Sequence, residues 1–381
     1  MRGHCFVNGK EKHVKCAYVG VNGKAQYIMK PPGVIKYGGS IADLQTGRGH
    51  FASTTLGSHA IFAGGIRSAV GSYCAHADAY SDSLVRTTLD NLSVARYGLA
   101  GANAGNYALF AGGYGSKTNN KYQYATVDTY DTSLSRGTAT NLSYEKYLLT
   151  GVSLGEYAIF AGGNAYGPDP DDEELMDEVG ENAVDAYNSS LTLTKLAILQ
   201  NPKMYLSSAS TGNYALIAGG QKITSNSALA TVDAYSADLT KTIAPDLSQA
   251  RYLSAGCSFS NYALFGGGIG YNGSSTRTDN VDTVDVYDQS LTRTTLESFS
   301  STKAYGAATS IGKYAIFAGD VNNNKSVDVY DSTLTRTNGP NLTDARYYLS
   351  AATVGKYALF AGGQWTVSSV EAYTISDGYT P

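Results

Sequence analysis

Seven basic residues recur at intervals of about 50 residues: Arg48, Arg96, Lys146, Lys203, Arg251, Lys303 and Arg346. Each has an aromatic residue close by, in order Phe51, Tyr97, Tyr147, Tyr205, Tyr252, Tyr305 and Tyr347. Cations flanked by aromatic rings can hold a carboxylate by charge-assisted hydrogen bonds, or a sugar ring beside the cation. A second reading is structural. An element of the form Val-Asp-x-Tyr also occurs seven times, ending at Tyr80, Tyr130, Tyr187, Tyr235, Tyr287, Tyr330 and Tyr373. Each cation can pair with the acid of such an element and fix local geometry, and a feature present in every repeat is scaffold more often than site.

Other chemistry is thinly written. His50, Cys74 and His76 fall in the first repeat and could meet around a metal, but no histidine follows His76, and we expect no metal and no cofactor. The acidic run from Asp169 to Glu178 lacks the ligand spacing of an EF-hand. A helix explains it better: Asp169 can cap, Pro170 suits the first position, acids crowd the positive end of the dipole, and Leu175 and Val179 share a face. The spacing predicts a short helix at about 170–179, ended by Gly180. The stretches after Gly113 and Gly268 carry Tyr114, Tyr122, Tyr124, Tyr271 and Asn272, which suit carbohydrate or protein contact, or ordinary solvated loops. No Ser-His-Asp order, paired carboxylates, phosphate loop or dinucleotide fingerprint is present, so no catalytic residue is assigned and the protein is expected not to be an enzyme.

The elements that carry these residues follow from a repeat, which must be read first because it sets the architecture. Asn106 to Gly113 (Asn-Tyr-Ala-Leu-Phe-Ala-Gly-Gly) returns with small changes from His59, Glu156, Asn213, Asn261, Lys313 and Lys356. Around it, the second unit reads as four strands bounded by turn residues. A basic-aromatic pair, Arg96-Tyr97, leads into small residues that end at Ala102, a Gly105-Asn106 turn suits a type II′ hairpin, and Tyr107–Gly113 follows. After a variable loop come Val127–Asp131 and, past a Ser-rich turn, a strand from about Arg136. The fourth strand occurs only six times, and Ile35–Ile41 stands before Leu44 as Arg86–Leu89 stands before Leu92. We therefore expect the N-terminal strand to complete the seventh sheet, closing a ring that has no open edge.

Bulk properties agree. The 381 residues are 43% hydrophobic and 16% charged, with 43 Gly and 31 Tyr against 8 Pro, a balance that suits short strands and tight turns. A net charge of −4 gives no basic footprint for nucleic acid. No apolar run is long enough for a membrane helix, and the first residues lack the apolar region of a signal peptide. Cys5, Cys16, Cys74 and Cys257 form no CxxC pair. Residues 1–33 differ from the rest, with Asn8-Gly9 and Asn22-Gly23 marking two hairpins that serve either as ornament or as an attachment module.

Two resemblances complete the reading. The diglycine, tyrosine and basic residue of each unit resemble the kelch repeat, although its tryptophan position is held by Arg86, Arg136, Arg293 or Arg336 among others. The resemblance implies an all-β, seven-bladed β-propeller over residues 34–381. In such a fold the seven basic residues, Tyr97, Tyr147, Tyr252 and Tyr347, and the loop residues Tyr114 and Tyr271 gather on one face at the channel mouth, as candidate ligand-binding residues. Some kelch proteins are copper oxidases of the galactose oxidase type, whose Tyr/His/Cys set is not matched here. Tyr18 to Ala25 resembles short units near the N-termini of phage and prophage structural proteins of Gram-positive bacteria. Together these imply a non-enzymatic virion component, made in the host cytoplasm. Its propeller face would bind a host cell-surface glycan or protein, and residues 1–33 would bind other virion proteins, with no nucleic acid or membrane insertion and a homo-oligomer left open. A cytoplasmic kelch-type scaffold and a carbohydrate-active or redox enzyme on the same fold are the alternatives.

Overall fold

In the second repeat, Ala100–Ala104, Tyr107–Ala111, Val127–Asp131 and Arg136–Ala139 pair in that order as one antiparallel sheet. The structure is a computed structural model and describes residues 3–7, 10–14, 17–21, 24–29, 34–68, 72–118, 121–165, 181–271 and 278–376. The helix expected at 170–179, and Asn272, lie outside these residues. Among the described residues seven such four-stranded sheets occur. Their first strands touch in cyclic order, and Ser350–Val354 of the last returns to Ala52–Leu56 of the first. The fold is all-β, a β-propeller. Near the N-terminus, Gly3–Val7 pairs with Lys10–Val14, and Ala17–Val21 with Lys24–Met29.

The last sheet joins the two ends of the ring. Ile35–Ile41 pairs antiparallel with Val370–Ile375 beside Tyr357–Ala361, as the missing fourth strand required. A bulge sits where Gly39 opposes Ala372 and Tyr37 opposes Tyr373, so that Gly38 has no partner residue. Gly39 holds φ 112° there, a region glycine enters without steric cost.

The faithful second strand divides its side chains between two cores. Ala108 and Phe110 pack against Ile61, Ala63 and Ala79 of the preceding blade. Leu109 and Ala111 face Phe160 and Ala158 of the following one. Strand alternation thus makes each blade half of two hydrophobic cores, so no blade buries its apolar surface alone. Phe110 meets Tyr130 edge to face at 5.9 Å, and the same contact recurs as Phe62–Tyr80, Phe160–Tyr187, Phe265–Tyr287, Phe317–Tyr330 and Phe360–Tyr373.

The repeated tyrosine also needs an acceptor, because its body is buried. Tyr130 donates to the Asp90 carbonyl at 2.7 Å in the link from the preceding blade. Tyr80, Tyr187, Tyr235, Tyr287 and Tyr330 do the same to Ala42, Thr140, Ala197, Pro245 and Glu297. Tyr373, in the blade that closes the ring, is the exception among them: its buried hydroxyl has no partner.

The two kinds of tyrosine predict opposite outcomes. Tyr130→Phe leaves a buried carbonyl unpaired and should lower stability by about 1–2 kcal/mol in chemical denaturation. Tyr373→Phe should leave stability unchanged or raise it. Equal losses in both variants would show that the link hydrogen bond contributes nothing.

Candidate functional site

The seven basic residues do not stand at the channel mouth. Arg48, Arg96, Lys146, Lys203, Arg251 and Arg346 are 0% exposed and Lys303 is 4%. Each is turned into its own blade, toward the acid of the third strand. Arg96 Nη2 donates to Asp128 at 2.8 Å and to the Phe110 carbonyl at 3.0 Å. Arg48–Asp78, Lys203–Asp233, Arg251–Asp285 and Lys303–Asp328 pair at 2.8–3.3 Å, and Arg346 pairs with Glu371. The Lys146 ammonium donates instead to the Ala183 carbonyl at 3.0 Å. Burial lowers its pKa to about 8, with the Asp185 charge opposing the shift.

The acids are held from further sides. Asp128 also accepts the Ser93 amide and hydroxyl from the link before the blade, and Arg136 from the fourth strand. Burial would push the Asp285 carboxyl up; Arg251 and Ser248 hold it below its ordinary value. A buried ion is tolerated only when paired and hydrogen-bonded in this way. Six of the cations offered for a ligand's carboxylate are therefore already held by the protein's own acids, and Lys146 by a backbone carbonyl.

What the cations do is position their neighbours. The carbonyls of Arg96, Lys146, Lys203, Arg251, Lys303, Arg346 and Arg48 accept N–H bonds from Gly65, Gly113, Gly163, Gly220, Gly268, Asp320 and Gly363 of the preceding blades, at 2.6–3.1 Å. Glycine is needed for this approach: a Cβ on Gly112 would lie 2.6 Å from the Lys146 carbonyl. Two residues after each cation, the chain turns into the left-handed region. His50, Leu148, Tyr205, Leu253, Tyr305 and Tyr348 have φ of 53–59°, and Gly98 has 63°. Each of these seven donates its N–H to the carbonyl of the one before it, at 2.7–3.4 Å, and His50 closes the circle on Tyr348. This annulus narrows the axial channel. A cavity of about 200 Å³ is lined by His50, Tyr205, Tyr305 and Tyr348, with Leu148 and Leu253 of the same annulus. A separate well of about 560 Å³ is lined by the hydroxyls and backbone of the first strands, Thr55, Asn103, Ser153, Ser258 and Thr309 among them, and reaches the turns at Gly212 and Ser260 on the far side.

Around the annulus the face is paved with half-buried aromatic rings. His50 lies 3.5 Å from Tyr348, 5.6 Å from Trp365 and 5.8 Å from Tyr97, centroid to centroid. Tyr348 also touches Tyr305 and Tyr347. Tyr97 contacts Tyr73, Tyr114 and Tyr147. The stretch after Gly113 is not a free loop: Tyr114–Thr118 pairs with Lys121–Gln123 on one side and with Arg96–Tyr97 on the other. That ladder sets Tyr97 opposite Tyr114. Tyr252 meets Tyr205 at 6.3 Å, and Tyr271 ends a strand paired with Thr278–Asn280. Burial raises the phenol pKa of Tyr97, Tyr147 and Tyr348, and that of Tyr205 to about 12. It lowers that of His50 to about 4. At neutral pH these rings are uncharged.

The structure thus brings together Tyr97, Tyr114, Tyr147 and Tyr347 of the expected set, and adds Tyr73, Tyr348 and Trp365, which no repeat signal marked. His76 Nδ1 and Cys74 Sγ both lie on the Thr46 hydroxyl, at 2.8 and 3.8 Å, while His50 belongs to the aromatic group. Among the described residues no group of three or more His, Cys, Asp or Glu side chains could hold a metal.

No protein-family model and no curated protein sequence matches the chain. Solved structures share its fold. The structure of YjhT aligns over 88% of this chain and 99% of its own, with TM-score 0.57 and 10% identity. A fungal alcohol oxidase of the AA5 family, in complex with copper, aligns over 91% and 79%, with TM-score 0.64 and 12% identity. At these identities the likeness is one of fold. It corrects the functional expectation nonetheless. A fold shared with an oxidase is no mark of a non-enzymatic binder, and the basic ring offered for a host glycan is spent inside the blades. The virion reading therefore does not stand. The described residues also do not fit a copper set.

Asp128→Ala alone strands the buried Arg96 guanidinium and should cost about 3–5 kcal/mol, whereas Arg96→Ala leaves Asp128 with Arg136 and Ser93 and should cost less. The double variant should cost clearly less than the sum in a double-mutant cycle; additive losses would refute the pairing. His50 supplies a pH test. Its folded pKa lies below the unfolded value of about 6.5, so its neutral form favours the fold and stability falls as pH drops from 6.5 toward 4. The melting temperature of His50→Phe relative to the parent should be constant above pH 6.5 and rise below it. A flat difference would place His50 in solvent.

Proposed function

We propose that this chain is a kelch-type propeller whose aromatic face takes a neutral, hydroxyl-rich small molecule of the saccharide class. Support for the kelch-type reading comes from the joint work of its marker residues: the diglycine meets the next cation's carbonyl, the cation meets the acid, and the tyrosine ties the link. The observation that carries the ligand class is the uncharged pavement around the annulus. Tyrosine and tryptophan offer flat apolar faces for the C–H side of a sugar ring and polar edges for its hydroxyls. The phenols are protonated at neutral pH and burial keeps His50 neutral, so the site presents hydrogen-bond donors and acceptors without a charge that would select an acidic sugar. The oxidase that shares the fold is an alcohol oxidase, which agrees with a hydroxyl-bearing substrate.

The only tryptophan of the chain, Trp365, stacks on His50 within this group, so its fluorescence reports the site directly. Titration with a panel of neutral mono- and oligosaccharides should give a saturable change in emission, at least tenfold weaker in Tyr348→Ala. Proton NMR of the same sugars after incubation would show whether the bound molecule is altered. A panel that leaves Trp365 unmoved, or that favours acidic over neutral sugars, would overturn the ligand class.

A further inference from the structure

The pavement is not evenly spread around the ring. From Trp365 it runs to His50 at 5.6 Å, to Tyr97 at 5.8 Å, to Tyr114 at 5.6 Å and to Tyr122 at 5.4 Å. Each step is between half-buried rings: the first and last pairs are stacked, at 22° and 6°, and the two middle steps are edge to face, at 70° and 63°, so the run offers ring faces and polar ring edges by turns. The run leaves the annulus and passes outward over the second blade. It exists because the second blade carries a hairpin, Tyr114–Thr118 with Lys121–Gln123, that extends the Arg96–Tyr97 strand. The fifth blade has the matching three-stranded arrangement with Arg251–Tyr252. There Ile269 stands opposite Tyr252 where Tyr114 stands opposite Tyr97, so the run is not continued.

We infer that the site takes an extended neutral oligosaccharide of three or more units, lying radially from the annulus across the second blade. The inference rests on the saccharide reading above and adds length and direction to it. The inner unit sits against Trp365, His50 and Tyr348, and the outer unit sits on Tyr114 and Tyr122. A single sugar ring covers one or two of these stations, whereas five successive uncharged rings match a linear, uncharged chain of sugar rings, each with an apolar face. The phenols are protonated at neutral pH, so the run carries no charge with which to hold an acidic polymer.

The test is a length series read by Trp365 fluorescence and by calorimetry on the full chain. Gluco-, manno- and N-acetylglucosamine oligomers of one to six units serve as probes. Affinity for the accepted sugar should rise about tenfold or more from one unit to three and then level. Tyr122→Ala should remove that gain and leave monosaccharide affinity unchanged, with its melting temperature confirming that the variant is folded. Monosaccharide binding that does not improve with length overturns the track and leaves the saccharide reading standing. Absence of binding at every length, with Trp365 unmoved, overturns the saccharide reading itself. A length gain that survives Tyr122→Ala overturns the radial direction.

Discussion

The buried pair between the cation that opens a repeat and the acid of its third strand, present in six of the seven repeats, is the interaction on which the molecule depends. Its side chains knit the second, third and fourth strands of a blade, as Arg96 does with the Phe110 carbonyl and with the carboxylate that Arg136 also grips. Its backbone carbonyl receives the N–H of the preceding blade. One residue thus spans both a blade and a blade boundary. The next two residues inherit their places from it: one lies on the face and the other enters the annulus. An ion pair out of water gains little over apolar packing in net stability, but its direction is strict, and direction is what a seven-fold closure needs.

Repetition sets up seven equivalent places and substitution makes them different. The position after the cation holds Gly49, Tyr97, Tyr147, Met204, Tyr252, Ala304 and Tyr347, and the annulus position holds His50, Gly98, Leu148, Tyr205, Leu253, Tyr305 and Tyr348. A symmetric scaffold therefore carries an asymmetric surface, crowded with rings from Tyr305 through His50 to Tyr147. The second blade's hairpin adds Tyr114 and Tyr122 to the same side.

Much of the fold was legible because its signals are local and repeated: strand alternation, the glycine turns, and the lone strand at Ile35–Ile41 with its partner at Val370–Ile375. The site was less so. Nothing in the spacing of Arg96 says whether it faces solvent or Asp128, 32 residues away; that depends on two strands meeting. Aligning Phe51, Tyr205 and Tyr305 with Tyr97 merged positions that the turn at the annulus separates, and left Tyr348 unnoticed. Trp365 lies outside every repeat signal. The turn after the third strand misled differently. The Asp131 carboxylate accepts the backbone amides of Ser133 and Ser135 there, while the Ser133 hydroxyl donates to Asp131 and not to the backbone, and Leu134 takes the left-handed conformation, as do Leu84, Leu191, Leu239, Leu291 and Leu334. Leucine pays a steric cost there that packing of Leu134 against the inter-blade core offsets.

The strand that seals the ring has a consequence for how the chain can be cut and rejoined. Val34 and Ser376 hydrogen-bond to each other across the sealed sheet, so the two ends of the propeller lie side by side. Until Val370–Ile375 has been synthesised, Ile35–Ile41 has no neighbour to pair with, and the growing propeller carries an exposed edge at each end, the kind that invites pairing with another copy. Joined through a short linker and opened at a turn between two other blades, the same seven sheets would keep every contact described above while moving the seam elsewhere. The place where the circle begins is a property of the gene order, and the circle itself is indifferent to it.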